Sequence, residues 1–282
     1  MVRGVGTLPL QGGVMRWLFL MTLFAACNGD SDTDTDLDTD TEVDTEADTE
    51  LQGTVMSGVV TDEDGNGVEG VRVNLCRQVC TTATTDATGA YTMPALLAQR
   101  YALHIETVGD ITLSDPHVPY DLIDAETVQL DAVVSPATAI ALDDSRRWRH
   151  SGNGLLLDIM QGDLELLFED DPTAFSAVRA EGDARLPIDL EGEVVAMWYL
   201  DPWDATAAEA LTDGIPVYIE DDWRDAGSYS LYQANYDEAE WEHIADLTST
   251  RNDDLRRGWL VLDGDAFLHR LDTLVVIRNP AE

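Results

Sequence analysis

The chain has 282 residues, 55 of them Asp or Glu against 16 basic residues, every one of which is Arg, and its net charge is −39. A polymer this negative repels nucleic-acid backbones and anionic bilayer surfaces, which argues against those partners and leaves cationic groups, divalent ions and neutral glycans. Its length accommodates two folded domains of ordinary size once a leader and a linker are set aside.

Arg16 precedes an apolar block, residues 17–26, of ten residues. A membrane-spanning helix needs about 20 residues to cross a hydrocarbon core of ~30 Å, so the block reads as an export signal. It ends in Phe24-Ala25-Ala26-Cys27, which resembles the lipobox of bacterial lipoproteins, with Phe24 where Leu is usual and Leu23 one place earlier. That resemblance implies a signal peptide over residues 1–26, cut before Cys27, and lipid on the Cys27 sulfur. The alternative is a plain secretory signal cut near Ala26 that leaves Cys27 a free thiol, and Met15 is an alternative start.

Every even position from Asp30 to Glu50 is Asp or Glu, separated mostly by Thr, so that residues 28–50 carry a charge of −11. Such a strip repels itself and has little apolar surface to repay its ordering entropy, so residues 27–53 are expected to form a disordered tether. Fully extended, the acidic run spans roughly 70 Å. Weak calcium capture by the acids and sugar attachment to the threonines are the sharper readings of the same strip.

From residue 54 to 135 the pattern is one of short strands. Residues 55–61, 71–76, 81–85, 91–93, 101–105 and 126–134 alternate or run apolar, with Gly- and Asn-containing turns at 62–67 and 86–89. This spacing indicates an all-β sandwich. Cys76 and Cys80 flank three residues at a strand end, where facing positions lie close enough for a disulfide in an oxidising compartment. Two segments, Ser57-Gly58-Val59-Val60-Thr61-Asp62 with Asp64-Gly65 and Gly67-Val68, and Thr85-Asp86-Ala87-Thr88-Gly89-Ala90-Tyr91-Thr92, resemble the carboxypeptidase regulatory-like domain, although Gln99 stands where that family has Gly before a Tyr. The resemblance implies a transthyretin-like sandwich, a carbohydrate-binding-like fold, that serves as a non-catalytic accessory module. Peptidase chemistry is not implied, because no His is followed by Glu three residues later. Asp62, Asp64 and Asn66 also match the opening of a calcium-binding EF-hand loop, but the bidentate Glu at the twelfth position is replaced by Val73, which favours a plain strand-joining turn.

Residues 137–282 read as a second, immunoglobulin-like β-sandwich, with strands near 155–160, 164–168, 194–200, 215–219, 228–232, 259–262 and 274–277 and one short helix at 204–211. Residues 194–200 are apolar on both faces, which requires a cover on the outer side; a contact with the first domain is the expected one. Trp203, Trp223 and Trp241 beside Asp201, Asp222 and Glu240 have the composition of a sugar-binding face, although tryptophans also simply fill sandwich cores. His243 with Asp246 and His269 with Asp272 are spaced three apart, which on regular strands sends the partners to opposite faces and argues against metal ligation.

The fold expected is therefore all-β, two tandem β-sandwich domains after a disordered acidic linker. The leading functional expectation is a non-enzymatic lipoprotein of the cell envelope, held to the membrane through its lipid and displaying a binding or structural module to a glycan or an envelope protein. Asn28, in place of the Asp that marks inner-membrane retention in some bacterial groups, favours the outer membrane. The alternatives are a carbohydrate-binding lipoprotein that uses Trp203, Trp223 and Trp241, a calcium-stabilised adhesion module, and a hydrolase built from scattered acids such as Asp201 and Asp222.

Overall fold

A computed structural model describes residues 53–107, 112–150, 153–166, 172–203, 205–221, 228–252, 257–262 and 267–280. Cys27, Trp223, Asp222, the signal region and nearly all of the tether lie outside the described residues. Among the described residues there is no α-helix, and no helix long and apolar enough to cross a membrane.

The first sandwich contains β1 (Thr54–Thr61), β2 (Arg72–Cys76), β3 (Cys80–Thr84), β4 (Ala90–Leu96), β5 (Arg100–Glu106), β6 (His117–Asp121), β7 (Thr127–Gln129) and β8 (Ala132–Val133). One sheet runs β4-β1-β7, with β8 also on β1; the other runs β3-β2-β5-β6. The alternation read from the sequence is realised in β1, where every second residue from Thr54 is buried and Met56 and Val60 point inward. They meet Val73, Leu75, Met93, Leu103 and Ile105 from the facing strands, each worth roughly 1.5–3 kcal/mol of transfer free energy when fully buried. Gly58 is required by close approach, since a Cβ there would lie 1.7 Å from the Leu130 carbonyl oxygen.

β6 carries no strand signal in its sequence, because a proline interrupts it. Its Pro119 lacks an N–H, which suits a strand at the edge of its sheet, and β6 is that edge.

The second sandwich contains β9 (Ile140–Ala141), β10 (Arg147–His150), β11 (Leu155–Ile159), β12 (Leu164–Glu165), β13 (Ala174–Arg179), β14 (Glu193–Asp201), β15 (Thr206–Ala207), β16 (Ile215–Asp221), β17 (Tyr229–Asn235), β18 (Glu240–Asn252), β19 (Arg257–Leu262), β20 (Phe267–Leu268) and β21 (Leu274–Arg278). Its two layers are continuous: the order is β10-β11-β16-β19-β18-β17-β21-β14-β13-β9. β18 joins the layers, pairing with β17 through its first half and with β19 through its second, and Leu247 is opposite both Tyr229 and Leu262. The sheet thereby closes over a core that contains Leu155, Leu157, Val217, Trp198, Leu231 and Val276.

The helix expected at 204–211 is not formed over its described residues, 205–211. Ala205 and Ala208 are buried, Thr206–Ala207 pairs with Leu164–Glu165, and the remainder is turn. A run this short cannot repay helix nucleation, and burying its small side chains against the sheet prevails.

β14 shows why residues 194–200 are apolar on both faces. Ala196, Trp198 and Leu200 face the second core, whereas Met197 and Tyr199, with Val275 and Ile277 of β21, belong to the cluster that fills the first sandwich. The loop through Ala184 and Leu186 contributes to the same cover: the Tyr199 hydroxyl donates to Ala184 O at 2.8 Å and accepts from Leu186 N at 2.9 Å. The two sandwiches thus share buried apolar surface within one compact unit, Thr49–Glu282.

Candidate functional site

Two places depart from what burial alone would select: the joint between the sandwiches and the loop end of the first sandwich. The joint lies on the outer face of the β2-β5-β6 sheet. Residues alternate along β5 and β6, so Leu103 and Val118 point to the core while their neighbours His104 and His117, opposite one another in register, point outward. That face is covered by the second sandwich, and both rings are buried.

His117 binds three groups from two directions. Its Nδ1 lies 2.9 Å from the Asp115 carbonyl oxygen, and its Nε2 lies 2.9 Å from Asp272 Oδ1 and 2.8 Å from the Thr273 amide nitrogen. Thr273 Oγ1 also donates to the His117 carbonyl oxygen. Nε2 cannot donate to Asp272 and accept from Thr273 at once. The protonated ring gives Nε2–H to the carboxylate, and the neutral ring accepts the amide. Asp272 is 1% exposed, and its other cationic neighbour, Arg270 Nε, stands at 3.7 Å, beyond hydrogen-bond reach. A carboxylate so buried needs a donor, which favours the imidazolium. Burial alone would lower the His117 pKa, but the Asp272 hydrogen bond and charge, with Asp115, outweigh it and raise it.

His104 is the opposite case. Burial, then the positive His117 and Arg72, hold its pKa well below the usual imidazole value, and its Nε2 has no hydrogen-bond partner. Its ring is packed 4.4 Å from Trp203 and 6.2 Å from Tyr236, and those two rings lie 5.0 Å apart. Asp201, at the end of β14, is pushed up to about 6 by burial and by the charge of Asp115, partly offset by the Trp203 amide and His117. Asp115 is raised by burial too, although it accepts from the Thr107 amide at 2.7 Å and from the Thr107 hydroxyl.

The residues weighed for sugar binding are therefore dispersed in role. Trp203 and Asp201 are part of the joint, and Trp241 is half-buried against the first core. The hydrolase reading required raised acids in an open cleft. Asp201 is raised, but two described clefts, of about 450 and 330 Å³, are lined elsewhere, by Glu63, Arg179 and Glu181 among others.

Asp62 closes its own turn. Its carboxylate accepts the Asn66 amide at 2.8 Å and the Asn66 side-chain NH₂ at 3.0 Å, and these bonds lower its pKa. An Asn66 that presents its NH₂ to Asp62 is not presenting an oxygen to a cation. No group of three or more His, Cys, Asp or Glu among the described residues is placed to hold a metal ion.

The expectation that His243 and Asp246 point apart is corrected: His243 Nε2 lies 3.1 Å from Asp246 Oδ1. Leu231 faces Ala245 and Tyr232 faces His243, so Ile244 is an extra, bulged residue that reverses the side-chain alternation. Both partners are exposed.

At the loop end, Cys76 and Cys80 are opposite one another and joined in a disulfide, with Cα atoms 4.0 Å apart. The turn they close holds Val79 out in solvent.

Residues 55–133, less than a third of the chain, match the carboxypeptidase regulatory-like domain family. No curated protein matches the chain. Among solved structures, a candidate carbohydrate-binding protein from Bacteroides uniformis is similar at 12% identity and a TM-score of 0.27, with 80% of each chain covered. A DUF3823 family protein from Parabacteroides merdae is similar at 8% identity and a TM-score of 0.22, covering 80% of this chain and 79% of that one. The Bacillus anthracis TIE protein is similar at 7% identity and a TM-score of 0.27, covering 80% of this chain and 44% of its own.

Proposed function

We propose that this chain is a lipid-anchored, non-catalytic protein of the bacterial cell envelope, held at the outer membrane through Cys27, whose two sandwiches are displayed as one body on the acidic tether and serve as a binding or structural module. The observation that carries this reading is where the tether meets the fold. It runs into β1, the strand flanked by β4 on one side and by β7 and β8 on the other, and not into a frayed edge. Val55 N bonds the Glu126 carbonyl oxygen at 3.1 Å, so the attachment is fixed from the first residues of the strand. An acidic strip ending on a central strand suits a load held at a distance, and the shared core makes that load a single piece.

The joint supports a structural and not a catalytic use of its histidines and acids. The His104 ring is packed against Trp203, and His117 is tied to Asp115, Asp272 and Thr273, which leaves neither ring disposed towards a substrate. Mass spectrometry of the mature amino terminus, with fractionation of the native protein and of Cys27→Ser, tests the anchoring. Acyl chains on Cys27 and release of the variant into the soluble fraction are expected. A native chain that carries no acyl group and fractionates as soluble overturns the reading.

A further inference from the structure

Among the described residues, the three most exposed large apolar side chains are Val79 at 82%, Ile123 at 65% and Leu97 at 58%. Scattered singly over a surface they would need no explanation. They are not scattered. Val79 tips the β2–β3 turn, Leu97 the β4–β5 turn, and Ile123 the loop after β6, and Gln99 ties the three loops together. Arg77 Nη1 donates to Gln99 Oε1 at 2.6 Å, and Leu122 N donates to Gln99 O at 3.1 Å. Tyr101 Oη fixes the middle loop by donating to Leu97 O at 3.0 Å. Thr54, the first residue of β1, pairs with Leu96 and donates from Oγ1 to Ile123 O at 3.4 Å. The three apolar tips therefore lie at the end of the sandwich at which the chain arrives from residue 53, with Leu97 next to one partner of Thr54 and Ile123 the other.

We propose that this end of the first sandwich is a lipid-contact surface, in which Val79, Leu97 and Ile123 enter the boundary between headgroups and acyl chains of the bilayer that holds the chain's own anchor. The proposal rests on the lipid-anchored reading above and commits to the bilayer as occupant because of where the preceding chain leads. Cys27 lies 27 residues before Thr54, so the bilayer is never more than about 90 Å from this end. Three side chains bind a bilayer weakly from free solution. Attachment to the same bilayer makes the contact intramolecular, at an effective concentration in the millimolar range for a flexible linker, and so populates it. Charge narrows the surface further. The tether carries −11, and Asp121, Asp124 and Glu126 add to it beside Ile123, so the contact weakens as the anionic fraction of the bilayer rises and is strongest on zwitterionic lipid. The tether then sets how far the body reaches, while the apolar tips give it a docked state at zero extension.

Hydrogen exchange on the mature acylated protein in phosphatidylcholine vesicles, against the full-length mature Cys27→Ser chain free in solution, tests the contact. Amides at 77–80, 97–99 and 122–125 are expected to exchange several-fold more slowly in the vesicle-held protein. The triple variant Val79→Ser, Leu97→Ser, Ile123→Ser, acylated and vesicle-held, is expected to regain the free rates with an unchanged melting temperature. Equal rates in the held and free states overturn the proposal. So does slowing that occurs in native envelopes but not in pure lipid, which identifies a protein partner, or slowing that follows protein concentration, which identifies a second copy. A native chain lacking acyl groups defeats the anchoring reading alone. The contact is then decided by coupling the Cys27 thiol of the mature chain to a maleimide lipid in phosphatidylcholine vesicles, where slowed exchange that is lost in the triple variant sustains it and rates equal to those of the free chain end it.

Discussion

The joint between the sandwiches and the loop end of the first sandwich invert the usual distribution of residues. Where the surface is covered, it offers His104, His117, Asp115 and Asp272; where it is open, it offers Val79, Leu97 and Ile123. Apolar surface alone would let the two sandwiches slide against one another, since the hydrophobic effect is non-directional. A buried ring that must bring one nitrogen, Nε2, to both Asp272 and the Thr273 amide across the joint, with its proton deciding which of them it bonds, admits one docking geometry, which is the best-attested use of a buried ion pair. The open end has the converse property. Its tips carry nothing that demands a fixed geometry, as suits contact with a fluid surface.

If the polar joint specifies docking, breaking it should be costly. His117→Ala strands the Asp272 carboxylate in the interior and is expected to lower stability by about 3–5 kcal/mol in chemical denaturation. Because the raised His117 pKa adds stability below the unfolded value of ~6.5 and loses it as pH rises through the folded value, the deficit should shrink at alkaline pH. A double variant with Asp272→Ala should lose less than the sum of the singles. An additive cycle would break the comparison.

Two pH profiles sharpen it. Burial keeps His104 neutral while the unfolded ring takes a proton near ~6.5, so folding should lose up to about 1.4 kcal/mol per pH unit below that value from this group. His104→Phe, which keeps an aromatic ring against Trp203, should therefore gain on the parent as pH falls. Asp201 behaves oppositely. With a folded pKa of about 6 against ~3.9 unfolded, its charge burdens the fold above that range and the burden lifts as pH falls between the two values. Asp201→Asn should gain on the parent near neutrality and lose that gain in acid, read as melting temperature against pH.

At the open end, Cys76→Ser with Cys80→Ser should cost about 2 kcal/mol, as a short closed loop predicts, without disturbing the joint. The smallest effect belongs to the exposed counterpart of the buried pair. His243→Ala should leave the denaturation midpoint unchanged, because its partner Asp246 is fully in solvent.

Much of the first sandwich was legible because β1 buries alternate residues, because Val73 and Leu75 of β2 and Tyr101, Leu103 and Ile105 of β5 recur at every second position, and because their turns announce themselves with Gly and Asn. The outer cover over β14 was legible as well, from a run apolar on both faces. β18 was not: Glu240, Glu242, His243 and Asp246 make it read as polar loop, and the bulge at Ile244 breaks its period. The joint left no local trace. His117 and Asp272 lie 155 residues apart, and nothing around either names the other. His104 and Trp203 are likewise brought together by topology alone, so the sequence leaves Trp203 open between a sugar-binding face and a packed ring, and the structure packs it into the joint.

The central position of β1 has a mechanical consequence. Force applied at Thr54 along the strand axis loads the hydrogen bonds to β4, β7 and β8 together in shear, so that they cannot be peeled open one after another. Force applied at the head of β1 should therefore be borne by the whole first sheet before any single strand gives way.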